Sequence, residues 1–170
     1  MSNTQVHPDA TEAERRLRGL LDRSEIADLI ARSLAAIDEG RFDDLHAIYT
    51  EEATASAPGG QAQGRNAIVA QVSRNHTADR RSQHLVGDVI VDLDGDTARA
   101  RANVLAAFAP SAAADASPLA PPVQVTFGTA YRYRAVRTPD GWRLAAVEIT
   151  PLWHSGSTEG LLRRPTPAES

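Results

Sequence analysis

The chain of 170 residues contains no cysteine and no lysine, and only 5% of its residues are aromatic. Without cysteine, the protein has no disulfide, thiolate nucleophile, iron–sulfur cluster or cysteine–zinc site. Without lysine, Schiff-base chemistry and a lysine general base are excluded. Hydrophobic residues make up 42% of the chain, which is enough for one core. Because aromatic side chains are scarce, alanine and β-branched residues must fill much of that core.

Charge and hydropathy exclude further classes of partner. The formal net charge is −4 and the pI is about 5.7, which argues against a nucleic-acid partner. No apolar run approaches the roughly 20 residues that span a bilayer. The first ten residues are polar and do not read as a secretory signal, so a cytoplasmic location is expected. Since neither HExxH nor any close histidine spacing occurs, we expect no metal and no cofactor.

The first half of the chain has helical periodicity. After a disordered segment of ten residues, Thr11 and Glu14 form a capping box that predicts a short helix to about Asp22. Ser24 predicts the cap of a second helix with an apolar stripe, and Gly40 predicts its end. The same reasoning predicts a third helix from about Phe42 to Tyr49, a loop over residues 57–64, and a fourth helix over residues 66–74.

The second half has the alternating pattern of β-strands. Residues 83–93 and 97–109 flank an Asp-Gly pair, which is a strong hairpin signal. Residues 110–122 are rich in alanine, serine and proline and predict a mobile loop at a cavity mouth. Two further strands follow, over residues 123–137 and 142–154. Helices followed by hairpin-linked strands indicate an α+β fold, in which N-terminal helices cover a strongly curved antiparallel (mixed) sheet with an internal pocket.

Several short strings carry a family resemblance by their order and spacing, although each is weak alone. The chain resembles the nuclear transport factor two-like superfamily, and within it the SnoaL-like cyclase and scytalone dehydratase group. The resemblance implies a single domain over residues 11–156, followed by a flexible tail over residues 157–170. The strings are Glu25-Ile26-x-x-Leu29, residues 36–45, Tyr49-Thr50-Glu51-Glu52-Ala53, Gly64-Arg65-x-Ala67-Ile68, residues 83–88, Asp94-Gly95-Asp96-x-Ala98, Gly141-Trp142-Arg143-Leu144 and Trp153-His154-x-Gly156.

The resemblance also implies a catalytic pair. The dehydratase pattern has an aspartate at the end of the first long helix and a histidine at the start of the following strand, and Asp38 and His84 occupy these positions. The second histidine of that pattern is missing here, as are its tyrosines near the aspartate. In phase with Val86 and Ile90, His84 is expected to face the pocket, where histidine suits acid–base work. Weaker candidates for substrate binding are Tyr49, Asn103, Tyr131 and Trp153.

Three functions remain open on the sequence. The first is a cofactor-independent dehydratase, cyclase or isomerase acting on a mostly apolar, oxygenated, polyketide- or terpenoid-like molecule. The second is a non-catalytic ligand-binding or dimerisation module of the same fold. The third is epoxide hydrolysis, in which Asp38 and Asn103 would hold a water. A homodimer through the outer face of the sheet is expected, because the helices cover only one face and apolar residues such as Val123, Val125 and Phe127 alternate along the strand.

Overall fold

A long N-terminal helix lies against a curved sheet of six strands in the computed structural model, which describes residues 9–111 and 121–158. The predicted mobile loop therefore lies largely outside the described residues, as do the terminal segments. The elements, in chain order, are the helix α1 (Asp9–Asp38), a 3₁₀ turn (Phe42–Asp44), α2 (Leu45–Ile48), β1 (Tyr49–Ala57), β2 (Gly60–Gln63), α3 (Arg65–Asn75), β3 (Arg80–Asp94), β4 (Thr97–Pro110), β5 (Val125–Thr138) and β6 (Gly141–Gly156).

The sheet is mixed and open. Its strand order is β2-β1-β6-β5-β4-β3, and every neighbouring pair is antiparallel except β1 with β6. The two predicted hairpins, β3–β4 and β5–β6, are confirmed together with the predicted fourth helix, α3. The α+β class with helices on one side of the sheet is therefore the observed architecture.

The first two predicted helices are one continuous helix. Residues 9–38 form α1 without a break, so neither Thr11 nor Ser24 caps a helix. No glycine or proline interrupts residues 20–30, and the buried side chains of Ile26 and Ile30 hold this part of the helix on the sheet. Tertiary packing therefore outweighs the local capping preference of serine.

Strands β1 and β2 were missed. The predicted third helix ends at Ile48, and Tyr49 opens β1 instead. Residues 57–64, predicted as a loop, contain the tight turn and the second strand of a hairpin. Glycines provide the backbone freedom here, since Gly60 and Gly64 have φ values of +128° and +88°. The hairpin is stabilised by β6, which lies far along the chain. Because its stability depends on this distant segment, the hairpin's own residues show only a weak strand pattern.

A β-bulge in β3 changes which side chains face the helices. The register with β4 shifts between Gly87 and Ile90, and Asp88 has a positive φ of +51°. An extra residue inverts the alternation beyond it. Val86 faces the helices as predicted, but Ile90 lies on the outer face and is exposed.

The core lies between α1 and the helix-facing side of the sheet. The helix packs mainly against β3 and β6, while small side chains line this side of β4 and the tyrosines of β5 fill the volume between. Because Val125 and Phe127 also lie on this side, they do not belong to the outer face. The buried residues include Ile26, Ile30, Leu34, Ala98, Ala100, Ala102, Val104, Tyr131, Tyr133, Trp142 and Leu144.

An acidic side chain in α1 ties the helix to the last hairpin. The Asp22 carboxylate accepts hydrogen bonds from the Arg137 guanidinium at 2.7 Å and from the buried Trp142 indole N–H at 3.1 Å. The same guanidinium lies 4.5 Å above the centre of the Trp142 ring. The hydrogen bond from Arg137 is the main cause that holds the pKa of Asp22 below its ordinary value, against the opposing effect of burial.

No helix within residues 9–111 and 121–158 is both long enough and apolar enough to cross a bilayer. Although α1 has 30 residues, charged side chains recur along it.

We predict that Asp22→Asn lowers the free energy of unfolding by about 1.5–3 kcal/mol at neutral pH, because it removes a charge-assisted hydrogen bond. The folded pKa of Asp22 is below the ordinary value of 3.8, so its contribution is present above that value and is lost as the pH falls through the folded pKa. The difference between variant and wild type should therefore shrink in acid. Urea unfolding from pH 7 to pH 2 measures this; a difference that stays constant with pH would contradict it.

Candidate active site

The geometry of the site begins where α1 ends. Asp38 is the last residue of α1, and Gly40 follows in the left-handed region with a φ of +70°. The Arg41 N–H bonds to the Ala36 carbonyl at 2.8 Å and the Gly40 N–H to the Ile37 carbonyl at 3.2 Å. These two bonds form a Schellman motif, which confirms Gly40 as the predicted end of the helix. The motif holds the Asp38 side chain towards the start of β3.

Strand β3 supplies three hydrogen bonds to that carboxylate. The His84 backbone N–H donates to Asp38 Oδ2 at 2.7 Å, and His84 Nδ1 lies 2.6 Å from Asp38 Oδ1. The Ser82 hydroxyl also donates to Oδ1, at 2.8 Å. Because an ionised carboxylate only accepts, we assign the proton of this imidazole–carboxylate bond to Nδ1. The structure therefore brings together the two residues that the sequence singled out as a pair.

Burial and hydrogen bonding act in opposite directions on Asp38. Burial raises the pKa of its carboxyl group, whereas the side chain and backbone N–H of His84 and the Ser82 hydroxyl lower it, and the net result is a lowered pKa. The carboxylate is thus ionised at neutral pH. Its side chain is 18% exposed and that of His84 only 4% exposed, so the pair interacts with little screening by water.

A second histidine lies beside the pair. His76 follows α3, and its ring centre is 6.2 Å from that of His84. Its Nδ1 donates to the Val72 carbonyl at 3.0 Å, so in the neutral ring Nε2 carries the lone pair. Burial lowers the pKa of His76, which keeps the ring neutral at neutral pH. The ring therefore caps the end of α3 as a neutral group.

Aromatic rings extend the site along the helix-facing side of the sheet. Phe108 lies edge-on to His84 with ring centres 6.1 Å apart, and Phe127 lies edge-on to Phe108 at 6.0 Å. His154 follows at 5.9 Å from Phe127. In the β4 register Phe108 lies opposite the buried Val125, on the helix-facing side. This row provides a flat apolar wall next to the polar pair.

A pocket of about 340 Å³ opens at the end of α1. The residues that line it include Asp38, Ser82, His76 and Phe108, together with Ile37 and Phe42. The His84 ring lies behind this wall rather than on it, in accordance with its small exposure. The volume is at the lower end of the range typical of small-molecule sites.

Tyr49 and Tyr131 lie deeper, in the core between α1 and the sheet. Burial raises the pKa of both phenols, and the Asp38 charge adds to the rise for Tyr131. Tyr49 also shares a hydrogen bond with the buried Ser33. The neighbouring Tyr133 hydroxyl is buried without a partner among the described residues. These phenols are un-ionised at neutral pH and pack behind the pocket.

Asn103 and Trp153 do not share the pocket with Asp38. Successive residues of a strand face opposite sides, and both residues lie on the outer face of the sheet. Asn103 donates to Asp88 at 2.8 Å and accepts from Arg101 at 2.9 Å. The Trp153 ring covers Gly128, where no side chain could fit beneath it, and 52% of the residue is exposed.

Sequence reasoning missed Ser82 and the pocket role of His76. Ser82 lies two residues before His84 and therefore on the same side of β3, so the period of two could have revealed it. His76 is contributed by a helix end, and its approach to His84 depends on how α3 packs against the sheet. In the described ranges, no three histidine, aspartate or glutamate side chains cluster in a way that could hold a metal ion.

Comparison with known proteins defines the family. The model of the SnoaL-like domain family matches residues 18–148, and the chain belongs to this family. The uncharacterized protein Rv2910c of Mycobacterium tuberculosis is 37% identical over 130 residues, which are 72% of this chain and 80% of that protein.

Solved structures share the fold. An NTF2-like protein with a cystatin-like fold from Novosphingobium aromaticivorans is 30% identical, with a TM-score of 0.69 over 86% of this chain and 92% of that one. Hexachlorocyclohexane dehydrochlorinase LinA-type3 from Novosphingobium barchaimii is 15% identical, with a TM-score of 0.69 over 89% of this chain and 99% of that one. At this identity the second likeness concerns the fold alone. The family and fold expected from the sequence are thereby confirmed.

We predict that neutral His84 carries its proton on Nδ1, because the Asp38 carboxylate can accept only from a protonated nitrogen. Long-range ¹H–¹⁵N correlation spectra of ¹⁵N-labelled protein above pH 8 distinguish the two tautomers. In Asp38→Ala, the preference for this tautomer should be lost. A wild-type spectrum with the proton on Nε2 would contradict the assignment.

Proposed function

We propose that the protein is a cytoplasmic, cofactor-independent enzyme that carries out acid–base chemistry on a small, mostly apolar, oxygenated molecule. The observation that carries this proposal is the imidazole–carboxylate pair of His84 and Asp38, which is shielded from water beside a pocket. A carboxylate that accepts from Nδ1 orients the imidazole and stabilises its protonated form. Dehydration, cyclisation and isomerisation all require proton transfer of this kind.

In a dehydration, His84 would act first as a base and then as an acid. Its Nε2 lone pair takes a proton from a substrate carbon that is activated by a neighbouring carbonyl group. The electron pair of that C–H bond forms a C=C bond as the C–O bond to a β-hydroxyl group breaks. The imidazolium, stabilised by Asp38, returns the proton to the departing oxygen, so that water leaves and the histidine is regenerated.

The pocket favours a compact substrate with a flat apolar part. Phe108 offers a ring edge or face, and Ile37 and Phe42 add apolar surface. His76 offers a neutral acceptor nitrogen to a substrate hydroxyl group. Substrate would reach the His84 ring after a side-chain rotation of Phe108 or His76, which flank it. Tyr49 and Tyr131 would bind substrate only at the deep end of an expanded pocket.

The alternatives have less support. Epoxide hydrolysis by Asp38 with Asn103 requires both side chains at one water, and they lie on opposite sides of the sheet. A pure binding module would have no need of a shielded carboxylate held against an imidazole, because the desolvation of a carboxylate is costly. A dehydrochlorinase has the same fold, which shows that the fold can carry an elimination.

We predict that His84→Ala reduces the turnover of a substrate roughly 10²–10⁴-fold while the fold is retained. Asp38→Asn should reduce it less, because an amide can hold the ring but cannot stabilise its charge. Candidate β-hydroxy carbonyl compounds, screened by ultraviolet absorbance of the new conjugated product, provide the assay.

His46→Ala is the matched control, because the His46 nitrogens contact the Asp43 carbonyl and Asn66 rather than the pocket residues. Its activity should equal that of wild type. Full turnover by His84→Ala would rule out the acid–base role, whichever substrate is used. If ligands bind without turnover and both substitutions change only affinity, the binding-module alternative is correct.

We also propose that the chain forms a homodimer through the outer face of the sheet. Of the residues first suggested for this contact, Val125 and Phe127 face the helices instead, and Val123 is exposed but precedes β5. The outer face nevertheless carries exposed Leu85, Leu105 and Trp153. An apolar surface of this kind is uncommon on a monomer.

Light scattering at micromolar concentration should give twice the chain mass of 18.2 kDa. Leu105→Asp should yield monomers, because it places a charge in the contact, whereas Leu17→Asp, on exposed α1, should not. A monomeric wild type would refute the proposal.

A further inference from the structure

The outer face of the sheet carries a basic trough on the side remote from the helices. The register aligns side chains of all six strands in two adjacent rows, and each row contains two arginines directly opposite each other on β4 and β5. The first row is Gln63, Thr54, Ala146, Arg134, Arg99 and Asp92, and the second is Gln61, Ser56, Glu148, Arg132, Arg101 and Ile90.

The four arginines of these rows are exposed and lack ion-pair partners in the described part of the chain. The ion pairs of that part involve other arginines, and Arg101 bonds instead to the neutral Asn103 side chain. Two carboxylates are members of the same rows, since Asp92 pairs with Arg99 and Glu148 pairs with Arg132, but neither approaches a guanidinium within 4.0 Å. Like charges directly opposite on neighbouring strands destabilise a sheet. The net charge of the chain is −4, so the trough is not a reflection of overall composition.

A cavity of about 570 Å³ coincides with the rows. Arg99, Arg132 and Arg134 line it together with one carboxylate, that of Glu148, and the short side chain of Ala146 takes up little of its space. The β1–β2 hairpin adds neutral donors to the same cavity, which are the hydroxyl groups of Thr54 and Ser56 and the side-chain amides of Gln61 and Gln63.

We propose that this trough binds a small oxyanion with two negative charges, of the phosphate or phosphate-monoester type. Guanidinium groups present paired N–H donors that match the oxygens of such an anion, and neutral hydroxyl and amide donors complete its coordination. The bound charge offsets the repulsion between the facing arginines. This site is separate from the pocket of Asp38 and His84, which lies on the other side of the sheet, and it does not depend on the proposed reaction. It also lies apart from the apolar residues of the proposed dimer contact, because Arg101 is four residues from Leu105 along β4.

Thermal unfolding with inorganic phosphate as the probe tests the site. Titration to 20 mM phosphate, at ionic strength held constant with sodium chloride, should raise the Tm of wild type by on the order of 4 °C for a millimolar site, with the rise becoming logarithmic in phosphate concentration above Kd. The variant R132Q/R134Q should lose this response. Without phosphate it should be at least as stable as wild type, because the facing charges are relieved.

The matched control is R15Q/R16Q, which removes the same charge from the exposed start of α1. It should respond to phosphate as wild type does. An equal response of all three proteins would mean a general salt effect and would overturn the proposal.

A second measurement needs no variant. Backbone amide shifts of wild type, titrated with phosphate, should move in β1, β4 and β5 at the two rows. Movement confined to other elements, or none, would equally overturn the site.

Discussion

The structure depends on one carboxylate placed against the electrostatic preference of its helix. Asp38 lies in the last turn of α1, where the helix dipole disfavours a negative charge by about 0.3–1 kcal/mol. Three donors from β3 more than offset this cost, since bonds to a charged acceptor contribute about 1.5–3 kcal/mol each. These bonds fix the position of α1 along β3, and with it the imidazole, the pocket and the face of the sheet that the helix covers.

The two faces of the sheet follow from how the chain uses its few large side chains. Alanines line the helix-facing side of β4, and the tyrosines fill the volume behind the pocket. The phenylalanines of β4 and β5 stand in one row with the histidines. Arginines and a few leucines are left for the outer face. Apart from the exposed Trp153, the few aromatic residues are thus concentrated at the core and the site.

Strong local patterns in the sequence predicted most of the elements. Neighbouring residues are enough to predict the Asp-Gly hairpin, the alternation of β4 and the end of α1 at Gly40. Each of these features is observed. Asp38 and His84 required the family pattern, because neither is distinctive alone. Three features could not be predicted, since each depends on packing between segments distant in the chain. They are the bulge at Asp88, the unbroken course of α1 around Ser24, and the approach of His76 to His84.

The parallel pairing of β1 with β6 determines when the protein can be completed during synthesis. In this pairing Thr54 of β1 lies opposite Ala146 of β6. The ribosome adds Ala146 only after it has synthesised nearly all of the domain. The helix, the β3–β4 hairpin and the Asp38–His84 contact are all encoded earlier and can form while β1 and β2 still wait for their neighbour. Long-range strand pairing of this kind slows folding. The last strand therefore completes the sheet. A nascent chain that is halted before β6 exposes an unpaired strand edge to other chains.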